Sequence, residues 1–182
     1  YCMKIGIMVD SFRLPIREGI QKAAELGAQG LQMYAVKGEM APEQLDKSGR
    51  KELRDYVESL GLEVAAVCGD LGGHGFTHAG ANPDKIERSK RIIELAKDLG
   101  TSVVTTHLGV VPEDESSPEY IAVRDACEEL GTFADSIEAC LAVETGPEPS
   151  ERLGRFIRSL PCSGIRVNFD PANLAMVIGE KA

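Results

Sequence analysis

The chain has 182 residues, about one ordinary domain, and its 43% hydrophobic and 27% charged residues describe a globular protein able to bury a core. A net charge of −9 with no offsetting Lys/Arg cluster argues against nucleic acid as a partner and favours small-molecule chemistry. No apolar run approaches the ~20 residues that span a bilayer, and no charged-then-apolar leader opens the chain, so a cytoplasmic protein without a membrane segment is expected.

The first strand is predicted at Lys4–Val9, and Pro15 opens a helix with Ile16, Ile20, Ala23 and Ala24 on one face. The second strand is Gly30–Met33; Ser48 is the expected cap of the next helix, which carries Leu53, Val57 and Leu60. After a third strand at Glu63–Cys68, Asn82-Pro83 reads as an N-cap followed by proline at the first helical position, leading into Ile86, Ile93 and Ala96. The fourth strand is Ser102–Thr106, and Ser117-Pro118 repeats the device before Ile121, Leu130, Phe133 and Ile137. Cys140–Val143 is the fifth strand, and Pro149 opens a helix with Leu153, Phe156 and Leu160. Ile165–Phe169 is the sixth, with Ile165, Val167 and Phe169 as one buried face, and "MVIGEKA" reads as the start of a further helix. Leu26-Gly27, Leu60-Gly61 and Leu99-Gly100 end the first three helices, each glycine supplying a left-handed residue past the last turn.

Short, mostly apolar strands alternating with helices imply a parallel sheet buried on both faces, hence an α/β fold. The first strand is followed by "MVDSFRLP" rather than a GxGxxG turn, which removes the best support for a doubly wound dinucleotide fold. The other solution is a (β/α)8 TIM barrel, which takes about 250 residues. The expectation is therefore a single domain over residues 1–182 that is an incomplete barrel of about six β/α units, lacking the last two. Five cysteines (Cys2, Cys68, Cys127, Cys140, Cys162) without a CxxC pair read as reduced, buried thiols rather than a disulfide framework or zinc site.

In parallel α/β folds the chemistry gathers at the carboxyl ends of the strands. Those ends carry Asp10, Tyr34 with Lys37 behind it, Asp70 and His74 in "CGDLGGHGF", His107 in "VVTTHLG", Glu144 in "LAVETG" and Asp170 in "NFDP". Each also has a plainer reading: Asp10 as a turn cap, His74 and His78 as solvated loop residues, and His107 as a structural histidine. Glu144 and Asp170 on neighbouring strand ends repel unless a cation or a proton lies between them, or unless they pair with Arg166 or Lys37. Oxygen donors suit Mg²⁺ or Mn²⁺, and an added histidine favours Zn²⁺, Co²⁺ or Fe²⁺. One divalent cation is the expected cofactor.

"VCGDLGGHGF", "VVTTHLGVVPED", "VETGPE" and "NFDPANL", after the third to sixth strands, resemble the sugar phosphate isomerase/epimerase family, the xylose isomerase-like TIM barrels related to ketose 3-epimerases and to the apurinic endonuclease IV group. The resemblance implies a cation held by a Glu after strand five, an Asp after strand six, a His after strand seven and a Glu after strand eight. Glu144 and Asp170 match the first two, and the last two have no counterpart here. His107 matches a strand-four histidine that contacts metal or substrate. Asn173 stands where many epimerases have a histidine. The reaction implied is isomerisation or epimerisation of a sugar or sugar phosphate through an enediolate, with Glu144 as ligand and base. Glu144 and His107 are thus the expected catalytic residues, and Tyr34, Asp70, His74 and Asn173 the expected substrate contacts. With two of four ligands, this 182-residue chain by itself is expected to be inactive. A non-catalytic binding or assembly protein, using the pocket or an open sheet edge, is the alternative, and a homo-oligomer is expected because unpaired strand edges invite association. An endonuclease IV-like hydrolase ranks below both: three histidines and the charge of −9 weigh against a trinuclear site on DNA.

Overall fold

The computed structural model describes residues 3–146 and 148–177. Six short runs rich in Val, Ala, Ile and Met become strands β1 (Gly6–Met8), β2 (Gly30–Tyr34), β3 (Glu63–Cys68), β4 (Val103–Thr106), β5 (Cys140–Glu144) and β6 (Ile165–Asn168). The helices between them are α1 (Ile16–Glu25), α2 (Lys47–Ser59), α3 (Asn82–Asp98), α4 (Pro118–Ser136), α5 (Ser150–Ser159) and, after β6, α6 (Pro171–Val177). Strand order follows chain order, β1-β2-β3-β4-β5-β6. No strand-order reversal occurs, so the switch-point crevice of a doubly wound fold is absent among the described residues, and the order is that of a barrel wound one β/α unit at a time.

The chain divides into two compact units: one holds residues up to Gly69 with Arg91–Val104, the other Asp70–Lys90 with the chain from Thr105 onward. In the first unit β2 pairs in parallel with β1 (Gly6 opposite Gly30) and with β3 (Tyr34 opposite Cys68). The face of α1 formed by Ile20 and Ala23 and that of α2 formed by Leu53 and Val57 are buried, as are Leu31, Met33 and Val67 of the strands. Burying each of the larger of these side chains is worth roughly 1.5–3 kcal/mol, the main term holding helices of this length on a sheet. Gly27, Gly61 and Gly100 adopt the expected left-handed conformation, with φ of 79°, 72° and 89°. At α2 the sequence expectation needs correcting. Asp46, not Ser48, is the cap, its Oδ1 accepting the Gly49 N–H at 2.8 Å.

In the second unit β5 and β6 pair in parallel, with Glu144 opposite Asn168, and α4 packs on both through buried Val123, Ala126, Cys127, Leu130 and Ala134. Ser117 caps α4 as expected, accepting from the Tyr120 N–H at 3.2 Å. Asn82 does not cap α3. Its Nδ2 instead donates to the Phe76 and Ala122 carbonyls at 2.9 and 3.1 Å, and the residue is buried. The expected buried face of β6 is also corrected: Ile165 is 3% exposed, but Val167 is 48% and Phe169 62% exposed. Cys68, Cys127 and Cys140 are buried free thiols and Cys162 is half-buried; Cys2, Pro147 and the last five residues of "MVIGEKA" lie outside the described residues. Among the described residues no helix is long and apolar enough to cross a membrane.

Candidate active site at the strand exits

Four polar residues of the second unit sit where strands end. Asp70 follows β3 by two residues, His107 follows β4 directly, Glu144 is the last residue of β5, and Asp170 lies just beyond β6. Asp70 is set by a local turn: its Oδ1 accepts the Gly72 N–H at 2.8 Å, which turns Oδ2 to His107 Nδ1 at 2.9 Å. A carboxylate only accepts, so Nδ1 carries the proton. The other ring nitrogen, Nε2, lies 3.5 Å from Glu144 Oε1. The hydrogen bond to Asp70, with the Glu144 charge behind it, lifts the imidazole above its ordinary value against the opposing effect of burial. The same hydrogen bond holds the Asp70 carboxyl below its ordinary range.

Asn173, from the first turn of α6, ties the two later strand ends together. Its Nδ2 donates to Glu144 Oε1 at 2.7 Å and to the Thr145 carbonyl at 3.2 Å. Its backbone N–H, with that of Ala172, donates to Asp170 Oδ1 at 3.0 and 2.8 Å. Asp170 is thereby the N-cap of α6, which explains a carboxylate at the end of an apolar strand. Buried Thr145 locks the junction from the other side, its Oγ1 accepting the Asp170 N–H at 2.7 Å and donating to the Asp170 carbonyl at 3.0 Å. Arg166 makes no ion pair with these carboxylates among the described residues; its Nε donates to the Ser163 carbonyl at 3.5 Å.

A cavity of about 370 Å³ opens beside the Asp70–His107 pair, lined also by Gly72, Gly73, His74, Gly75, Thr77, Gly109 and Val110. Its walls are two loops in backbone contact: Phe76 donates its N–H to the Leu108 carbonyl at 2.8 Å, and a Cβ on Gly75 (φ +57°) would fall 2.1 Å from that carbonyl carbon. Only glycine fits at that position. Lys85 is spent on the same loop, bonding the Gly72 and Gly75 carbonyls. The His74 and His78 rings meet at a tilt of 36°, their centroids 4.9 Å apart. Tyr34 lies in the first unit, where its N–H donates to Asp10 Oδ2 at 3.0 Å. Asp10 is therefore a link between strand ends as well as part of a turn.

Glu144 and Asp170 are hard oxygen donors of the kind a divalent cation takes, but among the described residues no three His, Cys, Asp or Glu side chains converge to hold one. The donor type fits and the donor number falls short. Sequence reasoning missed Thr145 and Glu148. The first is an ordinary-looking neighbour of Glu144, and the second is a carboxylate only 2% exposed, a burial that no local pattern in "VETGPE" announces.

No sequence among the curated proteins matched the chain. A solved xylose isomerase domain protein from Planctomyces limnophilus is 24% identical with a TM-score of 0.76, over 85% of this chain and 59% of its own. A D-psicose 3-epimerase crystallised with D-fructose is 15% identical with a TM-score of 0.79, over 99% of this chain and 67% of its own. A sugar phosphate isomerase/epimerase from Parabacteroides distasonis is 12% identical with a TM-score of 0.67, over 98% and 69%. These likenesses establish the fold, and the chain spans from just under three fifths to just over two thirds of each relative. The profile of the xylose isomerase-like TIM barrel matches residues 20–181, and the chain belongs to that family.

Proposed function

We propose that the chain carries the β3–β6 part of the active-site face of a divalent-metal-dependent sugar isomerase or epimerase. Glu144 and Asp170 are two of the cation's ligands in this reading, and the remaining ligands come from later β/α units of a complete barrel. The observation that carries it is the placing of His107, Glu144 and Asp170 at the exits of β4, β5 and β6, with His107 Nε2 3.5 Å from Glu144 and Asn173 bonded to both carboxylate residues. A bound cation supplies charge stabilisation at an oxygen beside the reacting carbon. Glu144 takes the proton from the carbon next to the sugar carbonyl, giving an enediolate, and His107 Nε2 stands within reach to receive it. Asp70 holds His107 in the tautomer that leaves Nε2 facing Glu144. His74 and Asn173 border the path of a polyhydroxy substrate.

The exposure of Val167 and Phe169 on β6 favours a second reading, in which that face is an assembly surface. Native mass spectrometry with and without Mn²⁺ and an assay of D-fructose 3-epimerisation, both on a complete barrel containing this sequence, test the first reading, and native mass spectrometry of the chain itself tests the second. The first reading expects Mn²⁺ uptake that Glu144→Gln reduces at least tenfold, and turnover abolished by the same change. Mn²⁺ uptake indifferent to Glu144→Gln sinks it, and a metal-free dimer supports the second reading.

A further inference from the structure

Glu148 is the buried carboxylate that the mechanism above leaves unused. Its Oε2 accepts the Val111 N–H at 3.1 Å, in surroundings where Val111 is itself fully buried. Arg152, one helical turn on, grips the other side of the same residue, Nη1 reaching the Val111 carbonyl at 3.5 Å while Nη2 lies 3.4 Å from Glu113 Oε2. The segment before Val111 is His107-Leu108-Gly109-Val110, which supplies His107, Gly109 and Val110 to the cavity. Its far flank is pinned by the Phe76 N–H on the Leu108 carbonyl. The loop after β4 is therefore held at two points, by the β3 exit through Phe76 and by the start of α5 through Glu148 and Arg152.

We propose that Glu148 is a positioning residue: its carboxylate fixes Val111 and so sets the cavity wall and the placement of His107. This rests on the cavity being the substrate site, although the clamp itself is independent of any metal. Burial without a full ion pair raises the carboxyl above its ordinary value, opposed by the Val111 N–H and by Arg152. A folded protein keeps such a group only where its bond is needed, because a buried donor left alone is costly.

Amide hydrogen exchange and His107 ring NMR on the wild-type chain, Glu148→Ala, Glu148→Gln and Glu148→Asp test it without metal or substrate. Glu148→Ala is expected to speed exchange at Gly109, Val110 and Val111 on the order of tenfold or more, with Val143 and Leu130 unchanged. Glu148→Gln keeps an acceptor oxygen and stays near the wild type. Glu148→Asp withdraws the acceptor by one methylene, so it accelerates the same three amides and shifts the His107 ring signals even if the alanine variant does not fold. Unchanged exchange at Val111, acceleration spread evenly to Val143 and Leu130, or a His107 signal that stays put in Glu148→Asp would each overturn the proposal. Since no metal is used, those outcomes leave the Mn²⁺ test of the proposed function untouched.

Discussion

His107 has a carboxylate at each ring nitrogen, and this arrangement has a signed consequence for stability. Its proton affinity is raised above the ordinary 6.5 by the Asp70 hydrogen bond. That stabilisation is complete below 6.5 and disappears as pH rises through the folded-state value. The Asp70 carboxyl is depressed below 3.8, so its stabilisation is present above 3.8 and lost as pH falls through its own folded-state value. Both hold together only between those limits. Removing the partner with Asp70→Asn should therefore cost most at about pH 5 and least at about pH 9, by about 1 kcal/mol or less given the half-exposed ring. Chemical denaturation in chelator at pH 5, 7 and 9 measures this, and a difference independent of pH refutes the pairing. The strand-exit rule made the address of His107 legible in the sequence, whereas Asp70 as its partner was not: a contact spanning 37 residues depends on how two loops meet.

At the scale of elements, Asp170 raises the question of whether a residue that caps a helix can also be a ligand. Its Oδ1 already serves the first turn of α6. Asparagine caps about as well as aspartate, whereas alanine loses about 1 kcal/mol. Asp170→Asn should thus leave metal-free stability nearly unchanged and still weaken Mn²⁺ binding, while Asp170→Ala loses both. Denaturation and Mn²⁺ titration of the two variants separate the roles, and an asparagine variant that binds Mn²⁺ like wild type reduces Asp170 to a cap. Caps in general were half legible. Ser117-Pro118 behaved as its pattern predicts, but Asp46 outcompeted Ser48 by two residues, and Asn82 was drawn inward by two carbonyls that no local pattern encodes. The end of α4 carries Glu138 at φ 55°, a left-handed residue with no glycine to announce it.

For the molecule as a whole, alternating apolar strands and capped helices were enough to expect a parallel α/β barrel, since each β/α unit buries its own stripe and strand order then follows chain order. Alternation along β6 predicts a buried face, and there the structure differs. Period-2 spacing tells which residues share a side but not what covers that side, and Val167 and Phe169 share one that solvent reaches. Apolar side chains exposed on β6 favour contact with another surface of like chemistry. The chain should therefore self-associate more strongly at higher concentration, and Val167→Thr with Phe169→Ser should return it to monomer. Neither side chain bonds to Glu144, Asp170 or Asn173 among the described residues, so the double change should leave Mn²⁺ uptake intact. Sedimentation velocity across a hundredfold concentration range reads the first effect and native mass spectrometry the second. A wild-type chain that stays monomeric throughout removes the assembly reading, whereas a double variant that loses Mn²⁺ shows that the β6 face and the strand-exit site are one structure rather than two.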